Sequence, residues 1–291
     1  MGSFVKTSIL TSLALIAFAA NSVLCRLALG EGAIDPASFT VIRLVSGMVV
    51  LAFIVVLQTG FKSPEIAGSW LSSVALFSYA ISFSFAYLSL NTGTGALILF
   101  GTVQISMILI SIYFGARLRI GEWLGILIAL AGFVYLVLPG VDAPEFGGFA
   151  LMTLAGISWA IYTLRGRNSS NPLLETAFNF FRTSPLVILL LLVSIQYMDL
   201  NARGVMLAVL SGGLASGVGY TIWYAALKGL ATTQAAVLQL SVPIIAAIGG
   251  VIIVSEPMTF RLLISTLIVM GGILLVTFGK GQVSDDYPRS N

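Results

Sequence analysis

The chain has 291 residues, of which 58% are hydrophobic and 9% are charged, whereas an ordinary soluble domain has about 25% charged residues. A water-soluble globule of this size cannot bury so much apolar surface, so the composition excludes a soluble domain and indicates an integral membrane protein. The apolar runs are about 18 to 25 residues long, which is the length of membrane helices and too long for the strands of a membrane barrel. The formal net charge of +3 follows the membrane topology described below and does not indicate a nucleic-acid partner.

Glycine, proline and charged residues separate ten predicted transmembrane helices. In chain order they cover residues 7–29, 37–58, 69–90, 93–114, 121–138, 147–165, 174–197, 204–227, 231–254 and 259–278. The first of them could pass for a secretory signal peptide, because Lys6 precedes an apolar stretch. That stretch continues to Leu29, however, which favours a membrane span. The single cysteine, Cys25, excludes an intramolecular disulfide and is typical of a small packing residue.

The sequence matches itself at about half its length. The segment LIALAGFVYLVLPG at 127–140 corresponds to LIVMGGILLVTFGK at 267–280, and Arg43 and Phe18-Ala19 correspond to Arg182 and Trp159-Ala160. This repeat predicts two five-helix units, residues 1–140 and 141–281, followed by a short tail at 282–291. Each unit crosses the membrane an odd number of times, so the second is inverted, as in many secondary transporters. The predicted fold is therefore an all-α integral membrane protein, with ten transmembrane helices in two inverted repeats around a central cavity.

Lysine and arginine are distributed unequally between the two sides of the predicted membrane. If the N-terminus is inside, the cytoplasmic side holds nine of them and the opposite side three. The nine are Lys6, Lys62, Arg117, Arg119, Arg165, Arg167, Lys228, Lys280 and Arg289, and the three are Arg26, Arg203 and Arg261. Because cytoplasmic loops are enriched in these residues, both termini, including the tail, are predicted to be cytoplasmic.

The chain lacks the residue types that catalysis and cofactor binding need. It has no histidine, one cysteine and no acidic residue within a predicted span, so we expect no metal site, no cofactor and no enzymatic activity. Gly279-Lys280 lacks the spacing of a phosphate-binding loop, which argues against an ATP-driven pump. The expected partners are a small-molecule substrate and membrane lipid, with no nucleic acid. Large extramembrane loops are absent, so no obligate protein partner is expected.

Two arginines lie within predicted spans, Arg43 in the second and Arg182 in the seventh. A cation near the bilayer centre costs at least about 2.5 to 3.5 kcal/mol on insertion scales, so both should face protein or water. One interpretation is that such an arginine binds a substrate carboxylate or gates access to the cavity. The other is structural, with the side chain reaching the interface or binding backbone carbonyls.

Polar and aromatic side chains in six spans predict the lining of the cavity, because amides and tyrosine hydroxyls need partners that lipid does not offer. The candidate substrate-binding residues are Asn21, Tyr79, Ser82, Gln104, Trp159, Tyr162, Tyr220, Trp223, Tyr224 and Gln239. Each of them is equally compatible with hydrogen bonding between helices. The candidate hinges or gating elements are Gly93 to Gly95, the glycine-rich segment from Gly212 to Gly219, which includes Gly217, and the helix break at Pro243. These glycines are equally compatible with close helix packing.

The segment from Pro243 through Glu256 to Gly271-Gly272, together with Arg43, resembles the drug/metabolite transporter superfamily in its ten-helix EamA form. The first repeat departs from that pattern, because Val103 stands at the position of Pro243. Within the superfamily the chain is most similar to exporters of aromatic amino acids.

The resemblance implies a cavity lined by spans one, three, four, six, eight and nine, with the fifth and tenth at the periphery. It also implies export of aromatic and other neutral amino acids across a bacterial inner membrane by alternating access. A broad drug/metabolite exporter is the alternative transport function, and a membrane scaffold or a lipid-modifying enzyme is the alternative class.

Overall fold

The computed structural model describes residues 2–59, 66–115, 118–140, 143–166, 169–230 and 232–279. The predicted tail at 282–291 lies outside these residues. So do five of the basic residues used to predict the orientation, namely Lys62, Arg117, Arg167, Lys280 and Arg289.

The described residues form ten apolar helical segments. They are α1 (Gly2–Gly30), α2 (Pro36–Thr59), α3 (Trp70–Ala86), α4 (Thr92–Tyr113), α5 (Ile120–Val137), α6 (Phe146–Gly166), α7 (Pro172–Arg182 and Ser184–Ser194), α8 (Ala202–Leu227), α9 (Thr232–Gln239 and Val242–Ile253) and α10 (Phe260–Gly279). Eight of them are long and apolar enough to cross a membrane, and α3 and α9 are shorter. The prediction of an all-helical membrane protein is confirmed, and each predicted span corresponds to one segment.

Three of the helices are irregular, and the sequence explains two of the irregularities. Pro185 and Pro243 lack the N–H that an uninterrupted helix needs, and α7 and α9 break just before them, at Thr183 and at Leu240–Ser241. The hydroxyl of Thr183 donates to the carbonyl of Phe180 at 2.6 Å, which satisfies a group near the break. In α8, residues Leu210–Val218 form a π-helical turn, which the sequence analysis did not predict.

The helices pack in a pattern that repeats between the two halves of the chain. Helix α1 packs on α8 and α9, and its counterpart α6 packs on the corresponding helices α3 and α4. Helices α5 and α10, which are each other's counterparts, pack together. A Cβ atom on Gly125 would lie 2.6 Å from the carbonyl oxygen of Gly272, and one on Gly272 would lie 2.5 Å from that of Gly125. The division into units 1–140 and 141–281 remains a prediction, which this reciprocal packing supports.

Candidate functional site

Aromatic rings from three helices meet in the middle of the bundle around Trp159 of α6. The centroid of its indole ring is 4.8 Å from that of Tyr79 on α3, 5.2 Å from that of Tyr162 and 5.3 Å from that of Tyr220 on α8. The Trp159 and Tyr162 rings are stacked at 27°, whereas the other two pairs are tilted. Aromatic pairs at such distances contribute about 0.5 to 1.5 kcal/mol each beyond their buried area.

Phe18 of α1 extends this cluster. Its ring centroid is 5.8 Å from that of Tyr220 and 5.7 Å from that of Trp223. Since Trp159 already joins α3, α6 and α8, the cluster ties together four of the six helices that were predicted to surround the cavity.

The cluster borders a small central cavity of about 20 Å³, which is about the space of one water molecule. It is lined by Phe18, Asn21, Tyr79, Phe83, Leu99, Phe100, Trp159, Tyr220 and Gln239. Five of these lining residues were predicted from the sequence. The other four are apolar and look like ordinary core residues in a sequence, although Phe18 corresponds to Trp159 in the internal repeat and could have been found by that signal.

The remaining predicted binding residues lie outside the cavity lining. The hydroxyl of Tyr162 donates to Thr176 Oγ1 at 3.3 Å, and the hydroxyl of Tyr224 lies 3.1 Å from the same oxygen. Trp223 contacts Phe18, which lines the cavity, but is not itself among the lining residues. Ser82 and Gln104 are buried in the bundle, and neither is among the residues that line the cavity.

Asn21 is held by the π-helical turn of α8. Its Oδ1 atom accepts a hydrogen bond from the Ser211 hydroxyl at 2.7 Å, and its Nδ2 atom donates to Ser216 Oγ at 3.2 Å. These two serines were missed by sequence reasoning, because an ordinary helical period would not place both of them towards one residue of α1. The amide of Asn21 therefore reaches the cavity in a fixed orientation.

The two membrane arginines have different surroundings. Arg43 is only 2% exposed, its Nη2 atom donates to the Tyr79 hydroxyl at 2.9 Å, and its guanidinium carbon lies 4.7 Å from the centroid of the Phe83 ring. Arg182 is partly buried and donates to the backbone carbonyl of Ala67, just before α3. Arg43 is too deeply buried to reach an interface, whereas Arg182 fastens the segment that leads into α3.

The candidate hinge glycines lie in close helix contacts. A Cβ atom on Gly217 would be 3.1 Å from Val50 Cγ1 of α2. Gly93 and Gly95 belong to the regular helix α4, and Cβ atoms there would lie 2.8 Å from Ala247 Cβ and 2.5 Å from Tyr87 Cε1, respectively. These contacts favour the packing interpretation of the glycines. Of the hinge candidates, Pro243 is the one that coincides with a break in a helix.

At one end of the bundle, a polar network joins the end of α1 to the connections α3–α4 and α9–α10. Arg26 Nε lies 2.8 Å from Glu256 Oε1, and Glu256 Oε2 accepts from the backbone N–H of Thr92 at 2.7 Å. Arg26 also donates to the carbonyl of Tyr87 at 3.1 Å and to Asn91 Oδ1 at 3.5 Å. We call these residues, Arg26, Tyr87, Asn91, Thr92 and Glu256, the latch. In the sequence, Arg26 contributes only to the predicted topology, and Glu256 only to the family resemblance.

At the opposite end lies a cleft of about 930 Å³ between α1 and α9, which reaches the end of α10. It is lined by Phe4, Thr7, Ser8, Thr11, Ser12, Leu15, Gly229, Leu230, Gln234, Val237, Leu238 and Phe278. None of these lining residues carries a charge. Leu15 precedes Phe18 by one helical turn, so the inner limit of the cleft is next to the central cavity.

Comparison with known proteins identifies relatives over nearly the whole chain. The EamA-like transporter family matches residues 146–278. An uncharacterized protein of Pseudomonas aeruginosa is 47% identical over 271 residues, which cover 93% of this chain and 94% of that protein. An uncharacterized transporter of Archaeoglobus fulgidus is 27% identical over 294 residues, covering 95% of this chain and 99% of that protein.

A protein of known crystal structure shares the fold. It superposes with a TM-score of 0.59 over 91% of this chain and 98% of its own, at 19% sequence identity. Identity this low supports the fold and carries no information about a substrate.

Proposed function

Because the chain belongs to the EamA-like transporter family, we propose that it exports small amphiphilic metabolites, above all aromatic and other neutral amino acids, across a bacterial inner membrane. The observation that carries this proposal is the central cavity, which combines the rings of Tyr79, Trp159 and Tyr220 with the amides of Asn21 and Gln239. The family's members are transporters, which agrees with the prediction that the chain is not an enzyme.

The chemistry of this lining suits a solute with an apolar body and a few polar groups. Aromatic side chains supply a large apolar contact area, and the amide groups supply hydrogen-bond donors and acceptors that fix an orientation. Acidic side chains, which a cationic solute would favour, are absent from the cavity lining.

The two ends of the bundle support transport by alternating access. In this conformation the cleft is open and the latch is closed, with the central cavity between them. The excess of lysine and arginine in alternate loops supports a cytoplasmic cleft and an outer latch. Solute would then move from the cleft, past Phe18, into the cavity, and leave when the latch opens.

Uptake into liposomes that contain the purified protein tests the proposed function. We expect transport of labelled phenylalanine and tryptophan, and we would compare them with threonine and alanine, each with and without an imposed proton gradient. Uptake without a gradient would support a facilitator or exchanger, and dependence on the gradient would reveal proton coupling. Absence of uptake of all four by folded protein would contradict the proposal.

Substitution of Trp159 tests the assignment of the cavity. Trp159→Ala removes the ring that contacts Tyr79, Tyr162 and Tyr220, so we expect at least about a tenfold loss of phenylalanine uptake with expression near normal. Trp70→Ala is the matched control, because that tryptophan is 61% exposed at the start of α3 and should leave uptake unchanged. Loss of folded Trp159→Ala protein in detergent would indicate a packing role instead. Tyr220→Ala is expected to behave like Trp159→Ala.

A broad drug/metabolite exporter is the second candidate, and the volume of the cleft favours it. A volume of about 930 Å³ with an uncharged lining can accept molecules larger than an amino acid. Competition of structurally unrelated amphiphiles against labelled phenylalanine separates the two functions, since a selective amino-acid exporter would not be inhibited by them.

A further inference from the structure

Arg43 carries a positive charge in the interior of the bundle with no counter-charge nearby. The described residues contain two ion pairs, Arg26–Glu256 and Arg203–Glu31, and Arg43 takes part in neither. It is 2% exposed, so bulk water does not solvate it. An isolated buried charge is costly, and proteins retain one where another group compensates it or where it serves a function.

The hydrogen bonds of this guanidinium are incomplete. Its Nη2 atom donates to the Tyr79 hydroxyl, whereas its Nη1 atom is buried and has no hydrogen-bond partner among the described residues. The rings of Phe83 and Tyr79 lie 4.7 and 5.1 Å from the guanidinium carbon and give partial compensation as cation–π contacts. A buried donor left unpaired at the side of a cavity is a site where a ligand acceptor gains a strong hydrogen bond.

The same rings connect Arg43 to the central cavity. Tyr79 and Phe83 both line the cavity and both contact the guanidinium, so they form the wall between it and Trp159. The cavity of about 20 Å³ is too small for an amino acid in this conformation. A solute that separates these two rings would therefore meet the guanidinium directly, with its own apolar part against Trp159.

We propose that Arg43 is the carboxylate-binding group of this transporter, and that the transported solutes carry a carboxylate beside an aromatic or apolar body. This inference rests on the proposed function and names the chemistry of its site. A guanidinium offers paired N–H donors whose geometry matches a carboxylate, which a tyrosine or an amide cannot provide. Amines of the same shape without a carboxylate would leave the cation unpaired and would bind weakly.

Arg182 supplies an internal control for this assignment. It occupies the corresponding position in the second half of the chain, yet it is partly exposed and donates to the Ala67 carbonyl. Its guanidinium thus has a partner within the protein, and the ring that it lies over, Phe178, is not among those that line the cavity. Removing Arg182 should affect the α2–α3 connection and should leave selectivity for the carboxylate unchanged.

Calorimetric binding to the purified protein in detergent tests the proposal with three probes of similar shape. They are phenylalanine, phenylalaninamide, in which the carboxylate is replaced by an amide, and 3-phenylpropanoate, which lacks the amine. We expect phenylalanine to bind at least about tenfold more tightly than phenylalaninamide, as expected for a charge-assisted hydrogen bond. In Arg43→Gln this ratio should fall to about one, while Arg182→Gln should retain it.

The outcomes separate this inference from the proposed function. Equal binding of phenylalanine and phenylalaninamide by the wild type would overturn the role of Arg43 and leave amino-acid transport standing. Binding of 3-phenylpropanoate without phenylalanine would support the carboxylate site and contradict the amino-acid substrate. Binding of neither carboxylate by folded protein would overturn both.

The Arg43 variants provide a second test, through the ratio of the affinities for phenylalanine and phenylalaninamide. An unchanged ratio in Arg43→Gln would also overturn the inference. If Arg43→Gln does not fold, Arg43→Lys replaces it, because lysine keeps the charge but lacks the paired donors. A reduced affinity ratio in Arg43→Lys would support the proposal. An unchanged ratio would contradict it.

Discussion

The two ends of the bundle are built from different chemistry. The latch joins three segments through a charged pair and a charge-assisted hydrogen bond, whereas the cleft is lined by hydroxyl, amide and apolar groups without a charge. Directional bonds of this kind hold one geometry, while an uncharged wall allows helices to move apart or together at little cost. From this difference we expect the latch to set which end of the protein is closed in this conformation.

The Arg26–Glu256 pair of the latch is better shielded from water than the Arg203–Glu31 pair. The Arg26 and Glu256 side chains are 19% and 11% exposed, whereas Arg203 and Glu31 are 53% and 42% exposed. Water screens the second pair, and surface pairs contribute about 0 to 1 kcal/mol. The Arg26–Glu256 pair is largely shielded from water, so its removal should destabilise the closed end more than removal of the Arg203–Glu31 pair.

Among the variants, Glu256→Gln is expected to have the largest effect, which is on the opening of the latch. This change removes the ion pair with Arg26 and weakens the bond from the Thr92 N–H, so it should favour opening of the latch by about 2 kcal/mol, or roughly 30-fold. The measurement is the rate at which a membrane-impermeant thiol reagent labels a cysteine at position 92, in a background where Cys25 is replaced by alanine.

Glu31→Gln is the matched control, since it removes the exposed pair with Arg203 at the same end of the bundle. We expect labelling to change less than about twofold in this variant. Equal labelling rates in the two variants would show that the Arg26–Glu256 pair does not hold the end closed.

An intermediate effect is expected when the cleft is narrowed. Ser12 is exposed in the cleft, so Ser12→Trp can be accommodated without displacing core residues and should obstruct the path towards Phe18. We expect about a fivefold decrease in the rate of phenylalanine uptake into liposomes, equivalent to about 1 kcal/mol.

Leu13→Trp serves as the control for this variant, because Leu13 is exposed beside the cleft and is not among its lining residues. It should transport at the wild-type rate. If both variants lose activity equally, the cleft is not the path of the solute.

The smallest effect is expected at the edge of the latch. Asn91 accepts from Arg26 at 3.5 Å, which is long for a hydrogen bond, and its side chain does not cap α4. Asn91→Ala should therefore change labelling of a cysteine at position 92 by less than about twofold. An effect as large as that of Glu256→Gln would mean that the geometry of the loop, and not the charge of Glu256, holds the latch.

Much of the fold was predictable because membrane helices have a strong sequence signal. Long apolar runs and the match between the two halves were enough to place each helix within a few residues, and Pro243 marked the break in α9. The π-helical turn at Leu210–Val218 was not predictable, since no residue type in a glycine- and serine-rich segment requires it. That turn also brings Ser211 and Ser216 to Asn21.

The site was predictable where its residues are chemically unusual for a membrane span. Tyr79, Trp159 and Tyr220 were found because polar aromatic groups need partners, and all three line the cavity. Phe83 was missed because an apolar ring has no such requirement. The latch was missed for another reason, since Arg26 and Glu256 are 230 residues apart and only the packing of α1 beside α9 brings them together.

The most direct test of the account is the accessibility of the two ends in the same preparation. In a background where Cys25 is replaced by alanine, Ser12→Cys reports on the cleft and Thr92→Cys reports on a buried position within the latch. We would measure labelling of each by an impermeant thiol reagent applied from one side of the membrane, with and without Glu256→Gln. The account predicts that the cysteine at position 12 reacts only from the cytoplasmic side and that the cysteine at position 92 is protected. It also predicts that Glu256→Gln increases labelling at position 92 from the outer side while decreasing it at position 12. Alternating access controlled by the latch would be contradicted if Glu256→Gln raised labelling at both positions together, or if it changed labelling at neither.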